Sequence, residues 1–328
     1  MTVTMKDIAK AAGVSKTTVS KVLNGSDEHI SADTKRRIRV LVKKMNYVPN
    51  SMARGLKIKQ TRMLGFILPD ITNPFFPEIA RGIEDTAKEH GFGVVMCNTD
   101  NAVQSENECF KFLTSKMVDG IIFIHSMANG NIDDEYDFSI PTVIVDRKID
   151  LQNKNVGQVF IDTKSGIHKS TQILISRGCR KIAFISALYH SDYDRIEGYR
   201  EALEEAQIPF NQNLIYQDEF NVKTGYEGMN EVLSRNQIDG VVCGDDLIAI
   251  GAMNSLKQHR IKIPDQVKIM GFDDIYFAQY TTPALSTICQ PAYKMGQKAA
   301  IMLVENIIDR KPLYDQRLDF TIQMRESV

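Results

Sequence analysis

From residue 61 onward the sequence alternates between short apolar runs and longer segments in which apolar residues recur with helical spacing. The apolar runs predict strands at 63–69, 92–97, 119–124, 141–146, 156–161, 181–186, near 214–217, 238–243, 267–272 and 284–289. The segments between them predict helices at 74–90, 103–117, 163–178, 192–207, 222–235, 246–260 and 291–310. Apolar strands that alternate with amphipathic helices are typical of parallel sheets covered on both faces, and therefore of the α/β class.

Polar and aromatic side chains follow several of these strands, and open parallel sheets bind ligands at the carboxyl ends of their strands. Aromatic faces stack on the apolar face of a sugar ring, and carboxylates, amides and guanidinium groups hydrogen-bond to its hydroxyls. Each residue alone also fits an ordinary role as a turn former, ion pair or core residue, but their shared placement predicts one ligand site. The candidate ligand-binding residues are Asn73, Phe75, Phe76, Asp146, Arg147, Arg195, Phe220, Asp245, Asp273 and Gln290.

The charges among these candidates narrow the class of ligand. Asp146, Asp245 and Asp273 are acidic, whereas Arg147 and Arg195 are basic. Burying an unpaired charge is costly, so an anionic sugar phosphate or sugar acid would be repelled by the excess of carboxylates. The pattern therefore favours a neutral sugar, and the two arginines keep a sugar acid as the alternative.

The first 60 residues differ in charge from the rest of the chain. They carry 13 Lys and Arg against 4 Asp and Glu, although the whole chain has a formal net charge of -1. A basic head on an acidic body predicts a nucleic-acid-binding module joined to a second unit.

This basic head is predicted to form three short helices. The first runs from Met5 to Ala12, the second from Lys16 to Leu23, and the third begins after Ser31. Gly13 separates the first two helices with the spacing of a helix-turn-helix. The alternative is a small solvated bundle whose charges have no function.

The second helix presents side chains suited to DNA. Burial of its apolar face leaves Lys16, Thr17, Ser20 and Lys21 pointing outward. These are hydrogen-bonding groups of a size that reaches base edges and phosphates in the major groove.

The segment after Asn46, YVPNSMARGLKIKQ, predicts a further short helix over 51–57. A helix of about two turns is marginal in water by itself, so we expect it to form only against a partner. Leu56 is the candidate wedge between base steps of a DNA minor groove.

The run TMKDIAKAAGVSKTTVSKVLNG, followed by NYVPNSMARGL, resembles the N-terminal signature of the LacI/GalR (lactose-repressor) family of bacterial transcription regulators. The resemblance implies that Lys16, Thr17 and Lys21 contact bases. It also implies that Leu56 from each of two subunits enters the centre of a palindromic operator. The DNA-binding residues expected on this basis are Lys16, Thr17, Ser20, Lys21, Asn24, Tyr47, Asn50, Ala53, Arg54 and Leu56.

The rest of the chain resembles the two-lobed periplasmic-binding-protein fold, in which a ligand is held between the lobes. The runs NPFF, VDR, GFDD and CQP are most similar to the ribose-repressor-like subgroup, and the ten candidate ligand-binding residues include the matching positions. Asp245 departs from that pattern, which has Asn there, and a carboxylate lacks the donors of an amide. The expected effector is therefore a small neutral sugar, either a ribose-like pentose or a hexose.

The predicted fold class is a small all-α helix-turn-helix head plus an α/β two-lobed periplasmic-binding-protein-like body with two parallel Rossmann-like sheets. We expect a DNA-binding domain over 1–49 and a hinge helix and linker over 50–62. The effector-binding and dimerisation domain is expected over 63–328. Lobe 1 is placed at about 63–162 and 291–323, and lobe 2 at about 163–290.

Several patterns that would indicate other functions are missing. The sequence has no GxGxxG, GxxxxGK[ST], GxSxG or HExxH motif, and its five cysteines include no CxxC pair, so neither an enzyme nor a metal site is expected. The N-terminal MTVTMKDIAK lacks the apolar stretch of a secretory signal, which favours a cytoplasmic protein without a membrane anchor.

The predicted function is that of a transcriptional regulator, acting as a repressor of sugar-metabolism genes. Its expected partners are a double-stranded DNA operator, a small-molecule sugar effector and a second copy of the chain in a homodimer, with no other cofactor. The alternative is a regulator of the same fold controlled by a phosphocarrier protein, a partner that the run ARGL would also suit, or by a sugar acid or sugar phosphate.

Overall fold

The computed structural model describes residues 3–23, 25, 27–47, 60–126, 136–151, 153–188 and 193–328. The chain divides into two compact units, Met1–Thr61 and Arg62–Val328. Most of the expected hinge over 50–62 lies outside the described residues, so that prediction stays open.

The described part of the first unit is helical. It contains α1 (Met5–Ala12), α2 (Lys16–Leu23) and α3 (Ala32–Lys44). Thr4 and Asp7 form a capping box that starts α1, and the left-handed Gly13, with φ of 63°, ends it. Each helix contributes one fully buried residue, Ile8, Val19 or Ile38, to a single apolar cluster.

The second unit contains two sheets covered by helices. The first sheet contains β1 (Met63–Leu68), β2 (Gly93–Asn98), β3 (Gly120–Phe123), β4 (Thr142–Asp146), β5 (Val156–Ile161) and β11 (Asp315–Leu318). Its strand order is β11-β5-β4-β3-β1-β2, and the pairings are parallel. Helices α4 (Phe75–Glu89), α5 (Val103–Ser115) and α10 (Ala292–Asp309) pack in this lobe.

The second sheet has a similar strand order. Its strands are β6 (Ile182–Ala187), β7 (Ile215–Asp218), β8 (Gly240–Cys243), β9 (Lys268–Asp273), β10 (Ser286–Cys289) and β12 (Thr321–Gln323). The order is β12-β10-β9-β8-β6-β7, with only the β10–β12 pairing antiparallel among the described strands. The helices of this lobe are α6 (Thr163–Ser176), α7 (Tyr193–Glu205), α8 (Val222–Arg235) and α9 (Asp246–Gln258).

The central strands are buried on both faces, as continuous apolar sequences require in a helix-covered parallel sheet. The chain passes between the lobes after β5, after β10 and again between β11 and β12, so residues near these crossings belong to the cleft that separates the two sheets.

The structure corrects one expected lobe boundary. We expected 291–323 to belong entirely to lobe 1, but Thr321–Gln323 pairs with β10 and therefore belongs to the second sheet. The sequence did not predict β11 or β12, because DQRL and TIQ are short and polar, as edge strands often are.

Across the described ranges, no helix combines the length and the apolar character that a bilayer crossing needs.

Candidate ligand cleft and DNA-binding face

All ten predicted ligand-binding residues line one cavity in the second unit. The cavity encloses about 430 Å³ of empty space, part of which is open to solvent. Its walls come from both sheets: Asn73, Phe75, Phe76, Asp146 and Arg147 from the first lobe, and Arg195, Phe220, Asp245 and Asp273 from the second. Gln290 lies directly after β10, where the chain returns to the first lobe.

The cavity is also lined by two residues that were not predicted from the sequence, Asp70 and Asn101. Both follow strands of the first sheet, since Asp70 comes after β1 and Asn101 after β2. The rule that identified the other ten residues, applied to the end of β2, would have found Asn101.

Hydrogen bonds from Gln290 connect the two lobes among the residues that line the cavity. Gln290 Nε2 donates to Asp273 Oδ1 at 2.8 Å and to Asp146 Oδ1 at 3.4 Å. Arg147 Nε lies 3.5 Å from Asp146 Oδ2. Within the described residues, Gln290 Oε1 is buried and accepts no hydrogen bond. Because a buried acceptor of this kind is costly when unsatisfied, it suits a ligand that carries hydroxyl donors.

The two aspartates that accept hydrogen bonds from Gln290 have unusual backbone dihedral angles. Asp146 ends β4 with φ of 81°, and Asp273 ends β9 with φ of 109°. Non-glycine residues rarely adopt positive φ, and such strained positions cluster at ligand sites. The strain supports a binding role for both carboxylates.

Aromatic rings form another part of the cavity wall. The guanidinium carbon of Arg195 lies 5.0 Å from the ring centroid of Phe220 and 5.3 Å from that of Phe272. These contacts orient the guanidinium by cation–π attraction. Across the cavity, Phe75 and Phe76 begin α4 with their rings edge-on at 5.4 Å, and Asn73 Oδ1 accepts from the Phe75 backbone N–H at 3.1 Å.

Two neighbouring carboxylates of the second lobe, Asp245 and Asp246, lie in or next to the cavity lining. Asp245 Oδ1 caps α9 by accepting from the Ile248 backbone N–H at 2.7 Å. Asp246, the next residue, is fully buried and accepts from Thr287 Oγ1 at 2.6 Å and from the Ile275 N–H at 2.8 Å.

Burial and neighbouring like charges raise the pKa values of Asp246 and Asp273. Desolvation, the largest effect, raises the pKa of Asp246 to about 8. Burial and the neighbouring Asp245 and Asp246 also raise the pKa of Asp273 well above its ordinary value, against a smaller opposite effect of the hydrogen bond from Gln290. Asp246 therefore favours the protonated form at neutral pH, and the pKa of Asp273 is shifted in the same direction.

The cavity offers hydrogen-bond acceptors, guanidinium donors and aromatic faces, which together suit a polyhydroxyl ligand. Among the residues that the structure describes, no group of three or more His, Cys, Asp or Glu side chains could hold a metal ion.

The candidate DNA-binding face lies on α2. Lys16, Thr17 and Lys21 are exposed and Ser20 is half-buried, while Val19 and Val22 on the opposite side are buried in the head. Tyr47 packs partly against the same apolar cluster, and its backbone N–H donates to Val42 O at 3.0 Å. The remaining expected DNA contacts, Asn24, Asn50, Ala53, Arg54 and Leu56, lie outside the described residues.

A helix-turn-helix unit with an exposed polar helix, followed in the same chain by a two-sheet body with a polar cleft, defines a DNA-binding regulator with a ligand-binding domain. The family model for "Bacterial regulatory proteins, lacI family" matches residues 4–50, and the model for "Periplasmic binding proteins and sugar binding domain of LacI family" matches 61–323. The chain therefore belongs to the LacI family, which confirms the predicted family and fold class.

Named relatives cover the chain from end to end. The HTH-type transcriptional regulator RegA of Clostridium saccharobutylicum is 37% identical, covering 100% of this chain and 99% of that protein. The ribose operon repressor of Halalkalibacterium halodurans is 34% identical over 98% of this chain and 95% of that protein.

A solved structure of the transcriptional regulator CelR with cellobiose is also similar. It has a TM-score of 0.75 and 27% sequence identity, and the match covers 99% of this chain and 100% of that one. The chain is accordingly a DNA-binding transcriptional regulator and, as predicted, not an enzyme.

Proposed function

We propose that this regulator binds a palindromic operator as a homodimer and that a small neutral sugar in the cleft changes its affinity for DNA. The observation that carries this proposal is the meeting of ten polar and aromatic side chains from two lobes in one cavity. A ligand that contacts both lobes favours the arrangement in which they are close, and such a preference couples ligand binding to any other property that depends on that arrangement.

Charge favours a neutral ligand. The largely buried charged groups of the cleft are Asp146, Asp245, Asp273, Arg147 and Arg195. Three carboxylates thus face two guanidinium groups, and Asp70 adds a further carboxylate to the cavity lining. This excess of carboxylates repels an anionic ligand, whereas a neutral pentose or hexose enters without adding a charge. The cellobiose in the CelR structure and the name of the ribose operon repressor support a sugar as the ligand class.

A homodimer is supported by the helix-turn-helix and by apolar surface on the body. One helix-turn-helix reads one half-site, and two linked copies read a palindrome with much higher effective affinity. Tyr276, Phe277 and Tyr280 are 63%, 54% and 63% exposed on one short 3-10 helix, and Met96 is 50% exposed on the edge strand β2. Exposed aromatic clusters of this kind mark interaction sites, and we assign this one to a second copy of the chain.

A sugar acid is the second candidate, because Arg147 and Arg195 both reach the cavity and guanidinium groups bind carboxylates strongly. Calorimetric titration of the full chain distinguishes the two candidate ligand classes. Neutral pentoses and hexoses, cellobiose, hexonic acids and sugar phosphates are titrated separately. Heat with one neutral sugar at about one molecule per chain supports the first candidate, and heat with sugar acids alone supports the second.

The proposed binding to a palindromic operator is tested with DNA that the purified chain selects from a random library. We expect the selected sequences to be palindromic and the bound sugar to change their affinity. Selected sequences without internal symmetry, or an affinity that no binding sugar alters, would contradict the proposal.

A further inference from the structure

A buried polar cluster lies behind the cleft in the first lobe. Glu106, on α5, is fully buried, and its carboxylate accepts hydrogen bonds from the Tyr136 hydroxyl, the Ser126 backbone N–H and His125 Nδ1, the last at 3.2 Å. Aromatic rings surround these groups, with Tyr136 at 5.4 Å from Phe110 and 5.3 Å from Phe123 between ring centroids. A carboxylate in such apolar surroundings is stable only when donors satisfy it.

The donors are sufficient to keep Glu106 ionised. Burial alone would raise its pKa, but the hydrogen bonds from His125, Tyr136 and Ser126, together with the charge of His125, lower the pKa below its ordinary value. Because an ionised Glu106 carboxylate can only accept, its 3.2 Å contact with His125 Nδ1 assigns a proton to that nitrogen.

This cluster is connected to the cleft through one backbone carbonyl. His125 and Ser126 follow β3, so Glu106 fixes the path of the chain where that strand ends. The carbonyl oxygen of His125 accepts a hydrogen bond from Arg147 Nη1, and Arg147 lines the ligand cavity. Arg147 is thus held by a hydrogen bond to the His125 carbonyl at one nitrogen and by an ion pair with Asp146 at another.

We propose that Glu106, His125 and Tyr136, hereafter the Glu106 network, are positioning residues that hold the Arg147 guanidinium in its ligand-binding orientation. The consequence for affinity rests on the proposed function of the cleft. An arginine side chain has many rotamers, and binding that must freeze them is weaker. A guanidinium that is already oriented also presents its planar donors at the correct angle to a ligand oxygen. The network therefore acts on ligand binding without touching the ligand.

Nuclear magnetic resonance of the full chain tests the positioning directly and needs no ligand. The Nε–Hε signal of Arg147 is assigned as the one lost in Arg147→Lys. In Glu106→Gln and Tyr136→Phe we expect this signal to shift and its heteronuclear NOE to fall, while the Arg195 signal stays in place. Glu108→Gln, an exposed glutamate on the same helix, is the matched control. An Arg147 signal with unchanged position and NOE in both network variants would overturn the proposal.

The two network variants differ in severity, so a failure to fold does not leave the question open. Tyr136→Phe removes a single hydroxyl and preserves the ring contacts with Phe110 and Phe123. If Glu106→Gln does not fold, the Tyr136→Phe spectrum alone decides between the two results.

Calorimetry with D-ribose as the probe tests the consequence for binding. We expect Tyr136→Phe to weaken the binding of D-ribose by about tenfold, because an Arg147 side chain that is no longer oriented must be ordered on binding. In the Arg147→Gln background the same change should have no further effect. An equal loss of D-ribose affinity in the wild-type and Arg147→Gln backgrounds would show that Tyr136 does not act through Arg147. If the wild type gives no heat with D-ribose, ribose is removed from the proposed ligands, and the Arg147 signal still decides the positioning role.

Discussion

Gln290 Nε2 lies 2.8 Å from Asp273 Oδ1, and this hydrogen bond joins the crossing segment of the chain to the end of a second-lobe strand. The same nitrogen is 3.4 Å from Asp146 Oδ1 in the first lobe. One amide group thus bridges two aspartates that approach from different sheets. Ligand affinity and the stability of the cleft should therefore depend on this side chain.

Replacement of Gln290 by Met keeps the volume of the side chain and removes the shared donor. We expect the free energy of unfolding to fall by about 1–3 kcal/mol, because two buried carboxyl groups lose a hydrogen bond. Sugar affinity should fall as well, since the cavity loses both amide atoms. Denaturant unfolding and calorimetry measure the two effects. The exposed Gln237→Met is the control, and equal stability of the two variants would contradict this role.

The contribution of Asp246 to the stability of the folded chain should decrease as the pH rises. Its pKa is raised to about 8 in the folded chain by burial, against an ordinary value of 3.8. The folded state therefore holds this proton more tightly than the unfolded state, so the contribution of Asp246 is most favourable below about pH 4 and is lost progressively towards pH 8.

The variant Asp246→Asn tests that pH dependence. Its amide can still accept from the Ile275 N–H and donate to Thr287 Oγ1, and it carries no titrating proton. We expect the free energy of unfolding of this variant, measured by urea at several pH values, to fall less between pH 4 and pH 8 than that of the wild type. Asp265→Asn, at an exposed position, should follow the wild type. Parallel curves for Asp246→Asn and the wild type would exclude Asp246 as the source.

Operator binding should depend on the exposed face of α2. We expect Lys21→Ala to weaken binding of the selected operator by about 1–3 kcal/mol, the cost of a lost base or phosphate contact at this kind of helix. Fluorescence anisotropy with labelled DNA measures this loss. Lys257→Ala, which removes an exposed lysine from α9 of the body, is the matched control. Similar affinities for the two variants would argue against α2 as the recognition helix.

The exposed aromatic cluster should control assembly. We expect Phe277→Asp to shift the chain from dimer to monomer in sedimentation velocity, because a carboxylate in an apolar interface costs several kcal/mol. Tyr314→Asp places the same charge at another exposed aromatic residue and should leave the dimer intact. If Phe277→Asp sediments as the wild type does, the second copy does not cover this cluster.

Much of the fold was predictable because strong apolar strands and amphipathic helices alternate through the body. The cleft was predictable for the same reason, since the ends of parallel strands converge on one edge and residues such as Asp146 and Asp273 stand at those ends. The edge strands β11 and β12 were missed because polar edge strands have no continuous apolar run. Their position depends on pairing with distant strands.

The Glu106 network was also missed, and the cause is again physical. A glutamate in the middle of a helix normally points to solvent, and nothing in the sequence around Glu106 distinguishes it from Glu108 two residues later. Its partners His125 and Tyr136 come from other segments of the chain. Only the fold brings the three side chains together, so a buried ion of this kind has no local signature.

Calorimetric titration of neutral sugars into the wild type and Asp273→Ala tests the central claim most directly. Asp273 lines the cavity and receives the hydrogen bond from Gln290. We expect one neutral sugar to bind the wild type with about one molecule per chain and to lose measurable binding in Asp273→Ala, while the exposed Asp265→Ala retains it. Equal affinity in the wild type and Asp273→Ala, or no heat with any neutral sugar, would contradict the assignment of this cleft as the effector site.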